Sequence, residues 1–400
     1  MQGKYIFGGL FALLCLFASC GKEEDTFIEK EEDNTEKGEE EVPPAERPYT
    51  SYYYYTYAAK EGIGAAELGL GNSDFVPGAV CQLGDTLFIT NNKGGSESVI
   101  LYNIQTKSVI NTLRSWMYNE VEQTFPANSK IEDILVFNGK LYVANRGSRI
   151  DVFNVEDLSF YTCIGTGNWG SSAKQMVNCC SLNAKGEYLY VRAKDRILVY
   201  KEEDILPEKF QNIPYYCRTS KNIFDLNNNF SSIQMIVEED GIYLTNFGQT
   251  TAKQIICLDP ELTVKGDNVN LIDETRSIPL DFNSVGLSSH DNRFLIVQND
   301  GTIHIYDREK EKIVNSFSKI YGANFKKAEK LRKVDNEHFW ITDVNAKKVY
   351  HVEIMMNEIR EFLPVPETRS SGGSWVKVKD ANGKEIIVDI ETHEIVSEDF

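Results

Sequence analysis

A short β-rich run that recurs six times, about 50 residues apart, limits what this chain can fold into more than any other feature. The runs lie at residues 87–90, 141–144, 189–192, 242–245, 294–297 and 339–342. A turn precedes each run, for example Asn138-Gly139 or Asp240-Gly241, and such pairs supply the positive φ that tight hairpins require. A fixed period of this length indicates an array of equivalent β units.

Each unit contains enough β-rich runs for four short antiparallel strands. In the first unit, a third strand is expected at residues 99–103 and an outer strand at residues 108–113. One such unit cannot bury both of its faces, whereas a closed ring of units buries them against neighbours and protects the sheet edges. The sequence therefore predicts an all-β fold, a β-propeller over residues 51–400 with visible repeats at about 76–365.

The number of blades depends on the two ends of this region. Residues 52–58 form a tyrosine-rich strand, and residues 375–378 and 386–390 form a hairpin around Ala381-Asn382-Gly383. Joined, these ends would make one composite blade that closes the ring. We therefore predict seven blades, and six blades with additional strands at the termini is the alternative.

The best-formed repeat joins residues 140–145 to a second strand at residues 148–154. This pattern resembles the lactonase-like, YVTN-type and NHL-type propellers. The resemblance implies the fold and leaves the activity open, because propellers carry many unrelated functions.

The N-terminus has the pattern of a secretion signal. Lys4 precedes an apolar stretch at residues 5–18, which is too short for a membrane span of ~20 residues. The segment Leu16-Phe17-Ala18-Ser19-Cys20 resembles a bacterial lipoprotein signal, although Phe17 departs from the strict form. The resemblance implies that residues 1–19 are removed and that Cys20 is lipidated, and several acyl chains would hold the protein on a membrane. An ordinary secretory peptide is the alternative.

The segment that follows is a strongly acidic tether. Lys22-Glu23-Glu24-Asp25 resembles the export signal of Bacteroidota-type surface lipoproteins, which implies the outer surface of the outer membrane; the alternative is the start of a solvated charge run. Residues 21–50 carry 12 acids and four bases, so we predict that residues 20–50 are disordered. The whole chain has a net charge of −18 and no basic cluster, which excludes a nucleic-acid partner.

Polar residues follow the second strand of several blades, where they would converge on the mouth of the central channel. Asn91, Asp300 and Asp343 are the candidate metal ligands, and Ca²⁺ is the ion that such oxygen ligands suit. The same residue types are ordinary in turns. Of the five histidines, none has a ligand-pair spacing, and the strand positions of His304 and His351 favour packing roles.

Three long links between blades carry aromatic residues, at 115–130, 165–174 and 214–230. They would share one face of the ring with the polar residues after the second strands. The candidate ligand-binding residues on this face are Trp116, Tyr118, Asn145, Arg146, Trp169, Tyr216 and Asn246. Such a surface suits a glycan or a flat cobalamin-like cofactor. The alternative is that these aromatic residues pack over the ring.

Six cysteines remain after Cys15 and Cys20 are assigned to the signal and the lipid. Cys81, Cys163 and Cys257 lie inside strands and are expected in the core. Secretion places the chain in an oxidising compartment, so Cys217 could pair with Cys179 or Cys180.

The sequence favours a surface lipoprotein that binds a ligand without catalysis, in nutrient capture beside an outer-membrane transporter. The combination of a lipoprotein signal with a propeller resembles, in architecture alone, the vitamin B12-capturing surface propellers of gut bacteria. No nucleophile motif is present. Two alternatives stay open: a metal-dependent enzyme of the lyase or lactonase type, and a scaffold for other envelope proteins.

Overall fold

The chain divides into two units, Met1–Thr50 and Ser51–Phe400, and a computed structural model describes residues of the second. The described residues are 53–60, 62–127, 129–146, 149–167, 176, 178–193, 197–207, 217–218, 234–246, 253–258, 275–317, 320, 322–363, 375–380, 385–389 and 394–397. The predicted signal, Cys20 and the predicted tether lie outside them. No helix of the described part is long and apolar enough to cross a membrane.

Six antiparallel sheets of four strands form the propeller, which confirms the predicted fold class. Blade 1 contains β2 (Pro77–Leu83), β3 (Thr86–Asn91), β4 (Ser98–Asn103) and β5 (Ser108–Leu113). Blade 2 contains β8 (Ile131–Phe137), β9 (Lys140–Asn145), β10 (Arg149–Asn154) and β11 (Phe160–Ile164). Blade 3 contains β12 (Cys179–Lys185), β13 (Tyr188–Ala193), β14 (Ile197–Lys201) and β15 (Cys217–Arg218).

The second half of the ring follows the same order. Blade 4 contains β16 (Met235–Val237), β17 (Ile242–Asn246), β18 (Gln254–Leu258) and β19 (Ile278–Pro279). Blade 5 contains β20 (Ser284–His290), β21 (Arg293–Gln298), β22 (Ile303–Asp307) and β23 (Lys312–Phe317). Blade 6 contains β24 (Ala328–Lys333), β25 (His338–Asp343) and β26 (Lys348–Leu363), and its fourth strand is β1 (Tyr53–Ala59).

The remaining elements are short. A hairpin of β6 (Ser115–Tyr118) and β7 (Val121–Thr124) links blades 1 and 2, and a single 3₁₀ turn covers Glu202–Asp204. Three C-terminal strands, β27 (Trp375–Asp380), β28 (Glu385–Asp389) and β29 (Glu394–Ser397), continue from β26.

The ring closes through the N-terminal strand, and the predicted seven blades are wrong. β1 pairs with β26 from Tyr53↔Glu358 to Ala59↔Val352 and so completes blade 6. β26 is 16 residues long, and its second half pairs with β27, so the C-terminal strands extend this sheet instead of forming a blade with β1. The first strands of successive blades contact one another around the centre, and β24 contacts β2. The ring therefore has six blades, the stated alternative.

Connections alternate between the two faces of the ring because each blade is an antiparallel meander. The upper face carries the links between blades and the links from second to third strands. The lower face carries the turns that join first to second and third to fourth strands. These definitions place Arg146 on the upper face, and the turns around Asp335 and Gln105 on the lower face.

The core lies at the seams between neighbouring blades, where aromatic residues meet. The second residue of the recurring run packs against the next blade: Phe88 against Phe153, Tyr142 against Tyr200, and Trp340 against Tyr102. Burying both faces of a blade in this way is what a ring achieves and a single sheet does not.

The cysteines inside the blades are buried, as expected. Cys81, Cys163 and Cys257 are buried core residues, and none of the three forms a disulfide. Cys179 and Cys180 are free, so neither forms the predicted bridge to Cys217.

Candidate functional site

The aromatic residues predicted on the upper face pack over the ring where the structure describes them. Trp116 is 7% exposed, and its ring lies 5.0 Å from that of Phe153 and 5.8 Å from that of Phe160. The ring of Tyr118 packs edge-on against Phe160 at 5.2 Å. The hairpin of β6 and β7 thus folds its aromatic face onto blade 2. Trp169 and Tyr216 lie outside the described residues.

The polar residues predicted beside them serve mainly to hold blade 2. The Asn145 amide is buried and donates a hydrogen bond of 3.1 Å to Asp151 Oδ2. Burial raises the pKa of Asp151 to about 6, although the Arg149 guanidinium opposes this shift. Arg146 is the more exposed member, with its Nε 3.7 Å from Glu132 Oε1. Asn246 ends β17 opposite Gln254.

The three candidate metal ligands hold backbone turns in different blades. Asn91 Oδ1 accepts the Val76 N–H at 3.0 Å, and Asp343 Oδ2 accepts the Lys327 N–H at 2.9 Å. Asp300 Oδ1 accepts the Thr302 N–H at 2.9 Å. Among the described residues, no group of three or more histidines, cysteines or acids is placed to hold a metal ion.

The centre of the ring contains buried ions, which we call the channel charge cluster: Asp133, Lys330 and Arg332. Arg332 Nη2 donates to Asp133 Oδ1 at 2.6 Å, and Lys330 Nζ lies 3.8 Å from the same oxygen. Burial alone would raise the pKa of Asp133, but Arg332 and Lys330 hold it below its ordinary value. The carboxylate is therefore ionised and paired at neutral pH.

The channel charge cluster joins three blades across the ring. Asp133 belongs to blade 2 and both cations belong to blade 6. Asp133 Oδ2 accepts the N–H of Leu182 in blade 3 at 2.7 Å, and Lys330 Nζ donates to the Cys180 carbonyl at 2.9 Å. These contacts connect blade 2 with blades 3 and 6, so they tie the ring together.

An open pocket of about 530 Å³ lies on the lower face between blades 6 and 1, and we call it the closing-seam pocket. Its apolar lining includes Ile63, Tyr102, Ile104 and Trp340. The chain after β1 forms one wall, because the Ile63 N–H donates to the Val349 carbonyl at 2.8 Å. Gly62 allows this approach, since a Cβ there would lie 2.8 Å from the Tyr350 ring.

Three rings stack along the blade 6 side of this pocket. His351 is paired with Trp340 across β25 and β26, with ring centroids 4.7 Å apart. His338 lies two residues before Trp340, and its ring stacks on His351 at 5.3 Å with an interplanar angle of 10°. Strand alternation places all three on the same face. Trp340 is fixed from blade 1, because its Nε1 donates to Gln82 Oε1 at 2.6 Å.

Both signs of charge surround the pocket, and most of these groups already have partners. His338 Nδ1 bonds to Asp335 at 2.8 Å, and Lys60 pairs with Glu353 at 2.9 Å. Burial, Lys60 and His338 together lower the pKa of His351, so its imidazole is neutral at neutral pH. Within the described structure, the ring nitrogens of His351 and the Lys107 ammonium have no hydrogen-bond or ion-pair partner.

The sequence assigned His351 to packing and singled out no role for His338. The sequence does indicate that Trp340 and His351 are neighbours, because they lie at equal distances from the Asn345-Ala346 turn. Hairpin pairing therefore places them side by side. What the sequence did not indicate is that their face borders a cavity, since the cavity also depends on residues of blade 1 such as Tyr102 and Ile104.

A second cavity, of about 640 Å³, lies at the seam between blades 4 and 5, which we call the latched seam. The Arg308 guanidinium lies 4.7 Å from the Phe294 ring centroid and 5.3 Å from that of Tyr243. Arg308 also bonds to Asp240 and, at 2.9 Å, to the Tyr243 hydroxyl. Partial burial opposes ionisation of Asp240, yet Tyr243 and Arg308 lower its pKa. This side chain spans the seam from blade 5 to blade 4.

Comparison with known proteins leaves the family open. No family model and no curated protein matches the chain. Among solved structures, it is similar to a computationally designed protein, Ika8, at 10% identity and a TM-score of 0.37, over 85% of this chain and 88% of that one. It is similar to BamB from Moraxella catarrhalis at 12% identity and a TM-score of 0.37, over 68% and 71%.

A third solved structure, KlHsv2 with loop 6CD replaced by a Gly-Ser linker, matches at 11% identity and a TM-score of 0.38, over 73% of this chain and 81% of that one. Likenesses this distant carry no argument about function. The assignment of the fold rests on the six sheets of the chain itself.

Proposed function

We propose that this chain is a lipid-anchored protein of the outer-membrane surface that binds a small organic ligand without catalysis. A β-propeller suits a binding or interaction role, because its blades form a rigid support for pockets. The observation that carries the proposal is the closing-seam pocket. Its volume lies in the ~300–1,000 Å³ range of ligand sites, and it combines an apolar lining with a few polar groups.

The anchor and the setting are supported by the sequence. Cys20 follows a short apolar signal, and Lys22-Glu23-Glu24-Asp25 follows Cys20. The proposed setting is ligand capture beside an outer-membrane transporter, with glycans or cobalamin-like molecules as ligands. Membership of the lactonase-like, YVTN or NHL propellers belongs to the same proposal.

The anchor is tested by expressing the full chain and a Cys20→Ala variant in a Gram-negative host that carries out lipoprotein maturation. We expect fatty-acid labelling of the first protein alone, and cleavage by protease added to intact cells. A fully labelled Cys20→Ala variant, or complete protection from protease, would contradict the proposal.

The binding role is tested with the full chain by thermal melting against a library of small molecules. A ligand that binds the folded state alone raises the melting temperature by mass action. We expect a library member to raise it, and Trp340→Leu to abolish that shift. A melting temperature that falls on addition of chelator would instead favour the metal-dependent enzyme.

A further inference from the structure

The closing-seam pocket lacks the arginine that lines the cavity at the latched seam. In blade 5, Phe294 is paired with Tyr306, and Arg308 follows two residues later. In blade 1, Leu87 is paired with Tyr102, and Ile104 follows two residues later. Ile104 therefore holds the place of the arginine that spans the latched seam. An isoleucine is too short to span the pocket and has no polar end to bond there.

The groups around the pocket do not favour a strongly charged ligand. Lys60 and Lys107 are balanced by Glu67 and Asp335. Glu67 Oε2 accepts the Gly64 N–H at 2.8 Å, and Asp335 is held by His338. The acid available to a planar cation, such as a guanidinium like that of Arg308, is Asp335. That carboxylate is already bonded to His338. The pocket thus offers hydrogen-bonding groups without a net charge.

The groups without partners match hydroxyl groups. A neutral imidazole has one donor and one acceptor nitrogen, and His351 presents such a ring to the cavity. Lys107 adds a donor, and the Gln105 side chain lies on the same rim. A hydroxyl both donates and accepts, so several hydroxyls on one rigid ligand would satisfy this set.

The apolar lining completes the match. Tyr102, Ile104 and Trp340 are among the apolar residues that line the pocket, and Tyr102 and Trp340 are 3% and 4% exposed. A pyranose ring has an apolar face of C–H groups and a periphery of hydroxyls, and aromatic side chains provide the complementary surface. We propose that the closing-seam pocket binds a saccharide, with its C–H face toward Trp340 and Tyr102 and its hydroxyls toward His351 and Lys107. This inference rests on the proposed binding function.

The test measures binding of maltose, cellobiose and galactose to the full chain by calorimetry, with benzamidine and benzoate as planar cation and anion. We expect at least one saccharide to bind and neither benzamidine nor benzoate to do so. Ile104→Arg recreates the arginine of the latched seam and should weaken saccharide binding by about tenfold or more. Ile110→Arg, at an exposed position on β5 of the same blade, is the matched control and should bind normally.

The possible results distinguish a failure of the saccharide site from a failure of the proposed binding function. A saccharide that binds equally well to Ile104→Arg overturns the proposed site. Benzamidine or benzoate binding that Ile104→Arg abolishes overturns the saccharide and keeps the binding function. No ligand from this set or from the wider library overturns both. If Ile104→Arg does not fold, Lys107→Ala replaces it, with an expected loss of about threefold and an unchanged affinity as the contrary result.

Discussion

The closing seam and the latched seam are built from the same strand positions and differ in what fills them. Tyr243 is paired with Cys257 in blade 4, and Trp340 is paired with His351 in blade 6. In the latched seam, the guanidinium of Arg308 from the next blade lies over the Tyr243 ring. In the closing seam that blade provides an isoleucine, and blade 6 adds an imidazole. The repeat therefore defines a cavity at both seams, and two or three side chains decide which groups line it.

The comparison also separates stability from binding. Arg308 and Asp240 are both partly exposed, so their ion pair contributes at most about 1 kcal/mol. The stacking of the guanidinium on two rings adds a similar amount. The closing seam lacks this latch and still closes the ring, because β1 pairs with β26 over seven residues. The closing seam therefore does not depend on a cation that spans it.

The largest effect is expected outside both seams, at the channel charge cluster. Asp133→Ala leaves the buried Lys330 and the half-buried Arg332 without their carboxylate, which typically costs about 3–5 kcal/mol. Urea unfolding measures the change. Asp300→Ala is the control, since it removes an exposed turn carboxylate and should cost about 1 kcal/mol or less. Equal losses in the two variants would show that the cluster does not hold the ring.

A smaller effect should distinguish the two seams directly. Arg308→Met removes the ion pair and the ring contacts, and we expect a loss of about 1–2 kcal/mol. Ile104→Met is the same replacement at the equivalent position, and it should cost less because the volume is nearly conserved. The free energies of unfolding of both variants, measured in urea, give the comparison. A greater loss for Ile104→Met would show that the latched seam is not held by Arg308.

The repeat predicted the blades from the sequence because turns and strand alternation are local. The run at residues 339–342 lies within β25, as expected. The number of blades could not be predicted in this way, because the sequence of a terminal strand such as β1 does not indicate which strand it pairs with. Its pairing depends on the length of β26, which extends past the blade.

The site was less predictable than the fold. Trp116 was a candidate ligand-binding residue with packing over the ring as the alternative, and the hairpin of β6 and β7 folds it onto Phe153 and Phe160. The closing-seam pocket combines residues from both ends of the ring, such as Tyr102 and Trp340. No spacing in the sequence connects them until the register of six blades is known.

The smallest expected effect concerns pH and is specific to the closing seam, because His351 lines that seam. The pKa of His351 is lowered by burial and by Lys60 and His338, while Glu353 and Asp335 oppose this shift. As pH falls through ~6.5, the unfolded chain takes up a proton that the folded pocket resists, so the free energy of unfolding falls. His351→Gln should reduce the loss between about pH 7.5 and pH 5 by less than about 1 kcal/mol. His290, His304 and Asp151 also titrate, but they are common to both proteins and cancel in the difference. Urea unfolding at the two pH values measures this, and a steeper loss in the variant would mean that protonated His351 stabilises the closing seam.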